Sequence, residues 1–119
     1  MSWTVEFTND FEDWWHGLTE RQQDSLSASV ELLIRYGPRL PFPHSSGINR
    51  SRHGAMRELR TQSGGRPLRT FYVFDPRRTA ILLIGGDKTG NDRFYDEYVP
   101  IADRLYDEHL KEIRKEGLI

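Results

Sequence analysis

Three cations in the second half of the chain, Arg60, Arg69 and Lys88, have the types to act together on a phosphate, with Glu58 and Tyr95 near them in sequence. Glu58 and Arg60 fall in MRELR, Arg69 opens RTFYVF, Lys88 follows AILLIGGD, and Tyr95 comes seven residues later. Arginine suits a phosphate because its planar fork holds two oxygens at once, and lysine adds a compact charge. Such a cluster can stabilise the charge that builds on phosphorus while an RNA backbone is cut. RNA supplies its own nucleophile, the 2′-hydroxyl, so no serine or cysteine is needed. Glu58 between two arginines also fits plain ion pairing that fixes the strands, and periodicity leaves both readings open. Tyr95 can stack on a base, offer its hydroxyl, or pack.

For these groups to meet, three strands must lie side by side. In MRELRTQ, strand alternation sends Arg57 and Leu59 to one face and Met56, Glu58 and Arg60 to the other. Ser63-Gly64-Gly65 makes a hairpin turn into Leu68 to Phe74, where Arg69 projects with Phe71 and Val73. Asp75-Pro76-Arg77-Arg78 turns again, and Thr79 to Ile84 is an apolar run suited to a central strand covered on both sides. Gly85-Gly86 then lets a backbone approach a ligand beside Lys88.

The flanking segments supply cover. Trp3 to Phe7 alternates as a short strand, and Asn9 or Asp10 caps a helix carrying Phe11, Trp14, Trp15 and Leu18. Thr19 caps a second helix, with Leu26, Val30, Leu33 and Ile34 on one face, that stops at Gly37-Pro38. Residues 37–55 read as a long functional loop without regular structure. A last helix starts near Asn91 or Asp92, and Pro100 predicts a kink or a split in it. The expected fold is one α+β domain over residues 1–119, ordered β-α-α-β-β-β-α. Its antiparallel sheet has two N-terminal helices packed on one face and a C-terminal helix.

Net charge is −1, but it is unevenly spread. Residues 1–34 carry a net −6, residues 35–78 a net +8 and residues 79–119 a net −3. An arginine-only block between acidic ones suggests a polyanion-binding face, although acidic helices neutralising a basic sheet would give the same pattern. The chain has no cysteine, which removes disulfides, thiolate nucleophiles and cysteine-based zinc sites. Its acidic start, MSWTVEFTNDFEDWW, lacks the basic region of a signal peptide, and no apolar run suits a membrane span. A cytoplasmic protein is expected.

Other motifs carry less. GGDKTG lacks the glycine spacing of a nucleotide phosphate loop, and Asp87 puts a negative charge where phosphate would sit. His16, His44, His53 and His109 show no metal-ligand spacing. His53 in the basic loop is a minor candidate for proton transfer. Trp14, Trp15, Phe94 and Tyr98 read as packing, and Ser45 and Ser46 have no His/Asp relay.

The order of MRELR, RTFYVFDPRRTAILLIGGDKTG and FYDEYVPIADRLYDEHL resembles the RelE/HigB-like toxins of bacterial type II toxin–antitoxin modules, in their phage-derived Gp49-like branch. The resemblance spans about residues 3–110. It implies a metal- and cofactor-independent endoribonuclease that cleaves mRNA, usually on the ribosome. Its partner would be a cognate antitoxin, commonly of helix-turn-helix type, in a hetero-oligomer. It places phosphate binding and charge stabilisation on Arg69 and Lys88, then Arg60, with Glu58 and Tyr95 beside them. Arg50, Arg52, Arg57 and Arg66 in the basic block are the expected RNA contacts. A gyrase-inhibiting toxin that cuts no RNA and an inactive antitoxin-binding regulator are alternatives on the same scaffold.

Overall fold

The computed structural model describes residues 2–119. Strand β1 (Val5–Phe7) leads into helices α1 (Asn9–His16) and α2 (Glu20–Tyr36). After a 3-10 turn (Gly37–Arg39) come β2 (Ser45–Gly47), β3 (Arg57–Ser63), β4 (Arg66–Phe74), β5 (Ala80–Asp87) and α3 (Phe94–Lys115). The strands form one sheet in the order β1-β5-β4-β3-β2. The expected three-strand meander is its centre, with β3–β4 and β4–β5 antiparallel. The edge strands were less legible. β1 pairs parallel to β5, and β2 forms inside the segment expected to lack regular structure, pairing antiparallel to β3.

Each sheet face carries its own core. Phe11 of α1 and Leu26 and Leu33 of α2 cover Leu59, Tyr72 and Leu82. On the other face Phe94, Val99, Ala102 and Leu105 of α3 cover Met56, Phe71, Val73, Ile81 and Leu83. A register shift opposite Phe71 and Tyr72 brings Leu83 out of step with β4, an irregularity that adds local twist.

Local chemistry explains the helix starts. Thr8, rather than Asn9 or Asp10, caps α1: its hydroxyl accepts from the Phe11 amide and donates to the Leu83 carbonyl, fixing the helix to β5. Thr19 and Gln22 form a reciprocal capping box on α2. Pro100 does not split α3, which runs unbroken to Lys115; Val99 and Ala102 on either side are both buried, and this packing carries the helix past the missing amide.

Gly85 and Gly86 correct the sequence reading. Both lie within β5, not in a ligand loop. A β-carbon on Gly85 would fall 2.1 Å from the Trp14 ring, and one on Gly86 would fall 2.7 Å from Tyr98. The pair is glycine because aromatic rings press on the strand from both faces. Among the described residues, no helix is long and apolar enough to cross a membrane.

Candidate functional site

The β3–β4 register sets Arg60 directly opposite Arg69, with Gly86 next in the row on β5. Two like charges so placed repel unless an anion lies between them. Glu58, two residues back on the same face of β3, supplies it. Its carboxylate lies 3.5 Å from Arg60 Nη1 and 3.7 Å from Arg69 Nε. From α3, the Tyr95 hydroxyl donates a 2.6 Å hydrogen bond to Glu58 Oε1. Lys88, held just past β5 by the hydrogen bond its backbone N–H donates to the Pro67 carbonyl, places its ammonium 5.2 Å from the Tyr95 ring centre. Strand alternation and register bring Glu58, Arg60 and Arg69 together, and the turn after β5 and the first turn of α3 add Lys88 and Tyr95 to the same neighbourhood.

The contacts are unequal. Glu58 and Arg69 are only 4% and 5% exposed. Arg69 donates through Nη1 to the Leu68 carbonyl at 3.1 Å, yet its buried Nε has no hydrogen-bond partner among the described residues. At 3.7 Å from Glu58 the Nε proton is attracted but not satisfied. A buried donor in this condition is uncommon and invites an acceptor. Burial, followed by the bond to Glu58, raises the Tyr95 pKa above that of an ordinary phenol, so its hydroxyl keeps the proton it donates.

The cluster is reachable from two sides. A polar cleft of about 270 Å³ opens between Gly47, Asn49 and Arg50 on one wall and Asp92, Tyr95 and Asp96 on the other, with Glu58 at its base. Arg60 and Arg69 border a second, shallower depression of about 610 Å³ with Pro43, His44 and Gln62. Arg60 also lies over the exposed Phe42 ring, 5.1 Å from its centre. Asn49, Asp92 and Phe42 escaped the sequence reading because none shares a period or an element with the strand arginines.

The expected RNA contacts lie elsewhere than in one stripe. Arg50 pairs with Asp96, and Arg52 donates to Asp107 at 2.6 Å. Asp103 accepts from the Ser51 hydroxyl and the Arg52 amide, while His53 Nε2 lies 2.8 Å from Asp107. The loop around residues 50–53 is thus strapped to the acidic side of α3, and His53 is engaged there, not at the cluster. Arg57 points to the opposite sheet face, where it bonds Ser45. Arg66 pairs with Asp87 at 2.8 Å. Asp87, whose charge threatened the cluster, is occupied by Arg66 and Thr89. Burial would raise its pKa, but the bonds from Thr89 and Arg66 hold it low.

Residues 13–107 match the family described as phage-derived protein Gp49-like. The chain is 42% identical over 94 residues to the candidate toxin HigB3 of Mycobacterium tuberculosis, covering 78% of this chain and 81% of that one. It is 37% identical over 112 residues to the candidate toxin HigB2 of the same organism, covering 92% of this chain but 55% of that protein's length. Among solved structures, a mutant E. coli toxin RelE in the free state superposes with a TM-score of 0.58 at 13% identity, over 95% of this chain and 99% of that one. The archaeal RelE–RelB complex from Pyrococcus horikoshii gives a TM-score of 0.55 at 15% identity, over 76% and 99%. The chain belongs to the phage-derived Gp49-like family, is similar in sequence to proteins named as HigB toxins, and shares the fold of RelE.

Proposed function

We propose that this protein is the toxin of a type II toxin–antitoxin module and acts as a metal-independent endoribonuclease on mRNA engaged with the ribosome. The observation that carries this reading is the buried, unpartnered Arg69 Nε beside Glu58, Arg60 and Tyr95. A scissile phosphate would give Arg69 its missing acceptor, and Arg60 and Lys88 would share the charge gained on phosphorus.

The chemistry closes on these residues. The Glu58 carboxylate takes the proton of the 2′-hydroxyl, and the 2′-oxygen bonds to phosphorus. The bond to the 5′-oxygen breaks, and Tyr95 gives that oxygen its proton. The proton on Glu58 then passes to Tyr95 along their hydrogen bond, restoring both groups. The products are a 2′,3′-cyclic phosphate and a 5′-hydroxyl.

The partner in this reading is an antitoxin, supported by likeness to the E. coli RelBE toxin–antitoxin complex. Mapping of RNA 5′ ends after brief induction tests the function. New ends inside translated frames, lost in Arg69→Ala/Lys88→Ala and unaffected by a chelator in the purified reaction, are expected. Growth arrest without new ends would replace RNA cleavage with a non-nucleolytic mode of inhibition.

A further inference from the structure

Across the sheet from Glu58, β1, α1 and α2 leave an apolar groove of about 350 Å³. Val5, Phe7, Phe11, Trp15, Val30 and Ile34 line it. Phe7 is 56% exposed although it lies in a strand, and β1 ends the sheet with a neighbour on one side only. An exposed phenylalanine beside an apolar groove at an open sheet edge marks an interaction surface. The rim is mainly acidic: Glu12 and Glu31 also line the groove, with His16 as the single basic group among its lining residues. Both are exposed, and neither enters an ion pair among the described residues. The surrounding residues 1–34 carry the net −6 noted above.

We propose that this groove docks a segment of the antitoxin in which large apolar side chains are flanked by lysine or arginine; this rests on the toxin reading above. The apolar walls accept anchor side chains of the kind that dominate interface affinity, and the acidic rim steers and orients a basic flank. The same rim repels an RNA backbone. A second copy of the chain is also disfavoured, because a two-fold contact would set Glu12 and Glu31 against their own counterparts. Since the groove and the Glu58 cluster lie on opposite sheet faces, this contact holds the antitoxin without filling the RNA site.

The test titrates the purified antitoxin encoded beside the gene against the intact chain, Phe7→Asp and Glu12→Lys/Glu31→Lys, at low and moderate salt. The expected result is a loss of affinity of roughly tenfold or more in each variant. Salt dependence should also weaken in the charge-reversed one. Both variants should unfold at the temperature of the intact chain and cleave RNA as it does. If Phe7→Asp fails to fold, the reversal at two exposed helix positions carries the test alone. Affinities within about threefold of the intact chain for the folded variants would overturn the proposal. So would loss of RNA binding with antitoxin binding intact. RNA cleavage by the intact chain is scored separately, so failure of the toxin reading and failure of the docking reading remain distinguishable.

Discussion

Tyr95 donates its hydroxyl to Glu58 across 37 residues of sequence, joining α3 to β3 at 2.6 Å. The bond ties the last helix to the meander at the point where the arginines converge. It also links the two groups that exchange a proton in the proposed reaction, so removing either end separates structure from chemistry. Tyr95→Phe keeps the ring under Lys88 and should cost about 1 kcal/mol of stability. Single-turnover cleavage should slow by roughly 100-fold in Tyr95→Phe and at least as much in Glu58→Gln. An unchanged rate in Tyr95→Phe would remove the hydroxyl from the reaction.

Arg69→Lys asks whether the planar fork matters or only its charge. Lysine cannot bond the Leu68 carbonyl and also present a second donor in the same plane. The rate should fall by roughly 100-fold, as when one stabilising donor is lost from a charged transition state. Full activity in Arg69→Lys would show that a point charge is enough.

The strap between the basic loop and α3 should govern how that loop opens. Asp103 is buried and accepts from both the Ser51 hydroxyl and the Arg52 amide. Asp103→Ala leaves both donors without it and should raise amide hydrogen exchange in residues 48–55, with about 1–3 kcal/mol lost locally. Exchange spread evenly over the chain would show that the strap is no separate unit.

Acid should unfold the protein through its paired aspartates, buried Asp75 and half-buried Asp87 and Asp107. Burial pushes the Asp75 carboxyl up, but bonds from His109, Arg77 and the Thr79 amide outweigh it and leave its pKa depressed. Bonds from Arg52 and His53 depress Asp107, and Asp87 is shifted the same way. Such groups add stability above their unfolded pKa, about 3.9, and lose it as pH falls through the lower folded value. Urea unfolding should therefore weaken below about pH 4. Asp75→Asn should flatten that slope and cost about 1–3 kcal/mol at neutral pH, because His109 loses its carboxylate partner while Arg77 keeps Glu6. An unaltered slope would place the acid sensitivity elsewhere.

The meander and the strand members of the candidate cluster were legible because they obey a period of two. Alternation paired Glu58 with Arg60 and, separately, Arg69 with Phe71 and Val73, and the hairpin register then made Arg60 and Arg69 neighbours. What stayed hidden depends on partners far along the chain. Nothing local marks Ser45–Gly47 as a strand; it exists because the edge of β3 is open to it. Gly85 and Gly86 suggest a loop until the Trp14 and Tyr98 rings above and below them are known. The fate of Arg50 and Arg52 was equally hidden, because their carboxylates lie on a helix more than forty residues away.

The parallel pairing of β1 with β5 has a consequence for the order of synthesis. Val5, Glu6 and Phe7 must wait for Ala80, Ile81 and Leu82 before they have a strand to join. Contacts this distant in sequence form late and slow the folding of the whole domain. Glu58 likewise gains the Tyr95 hydroxyl only after most of the chain has been made. A growing polypeptide therefore carries Arg60 and Arg69 out of the ribosome before the cluster they form with Glu58 and Tyr95 can assemble.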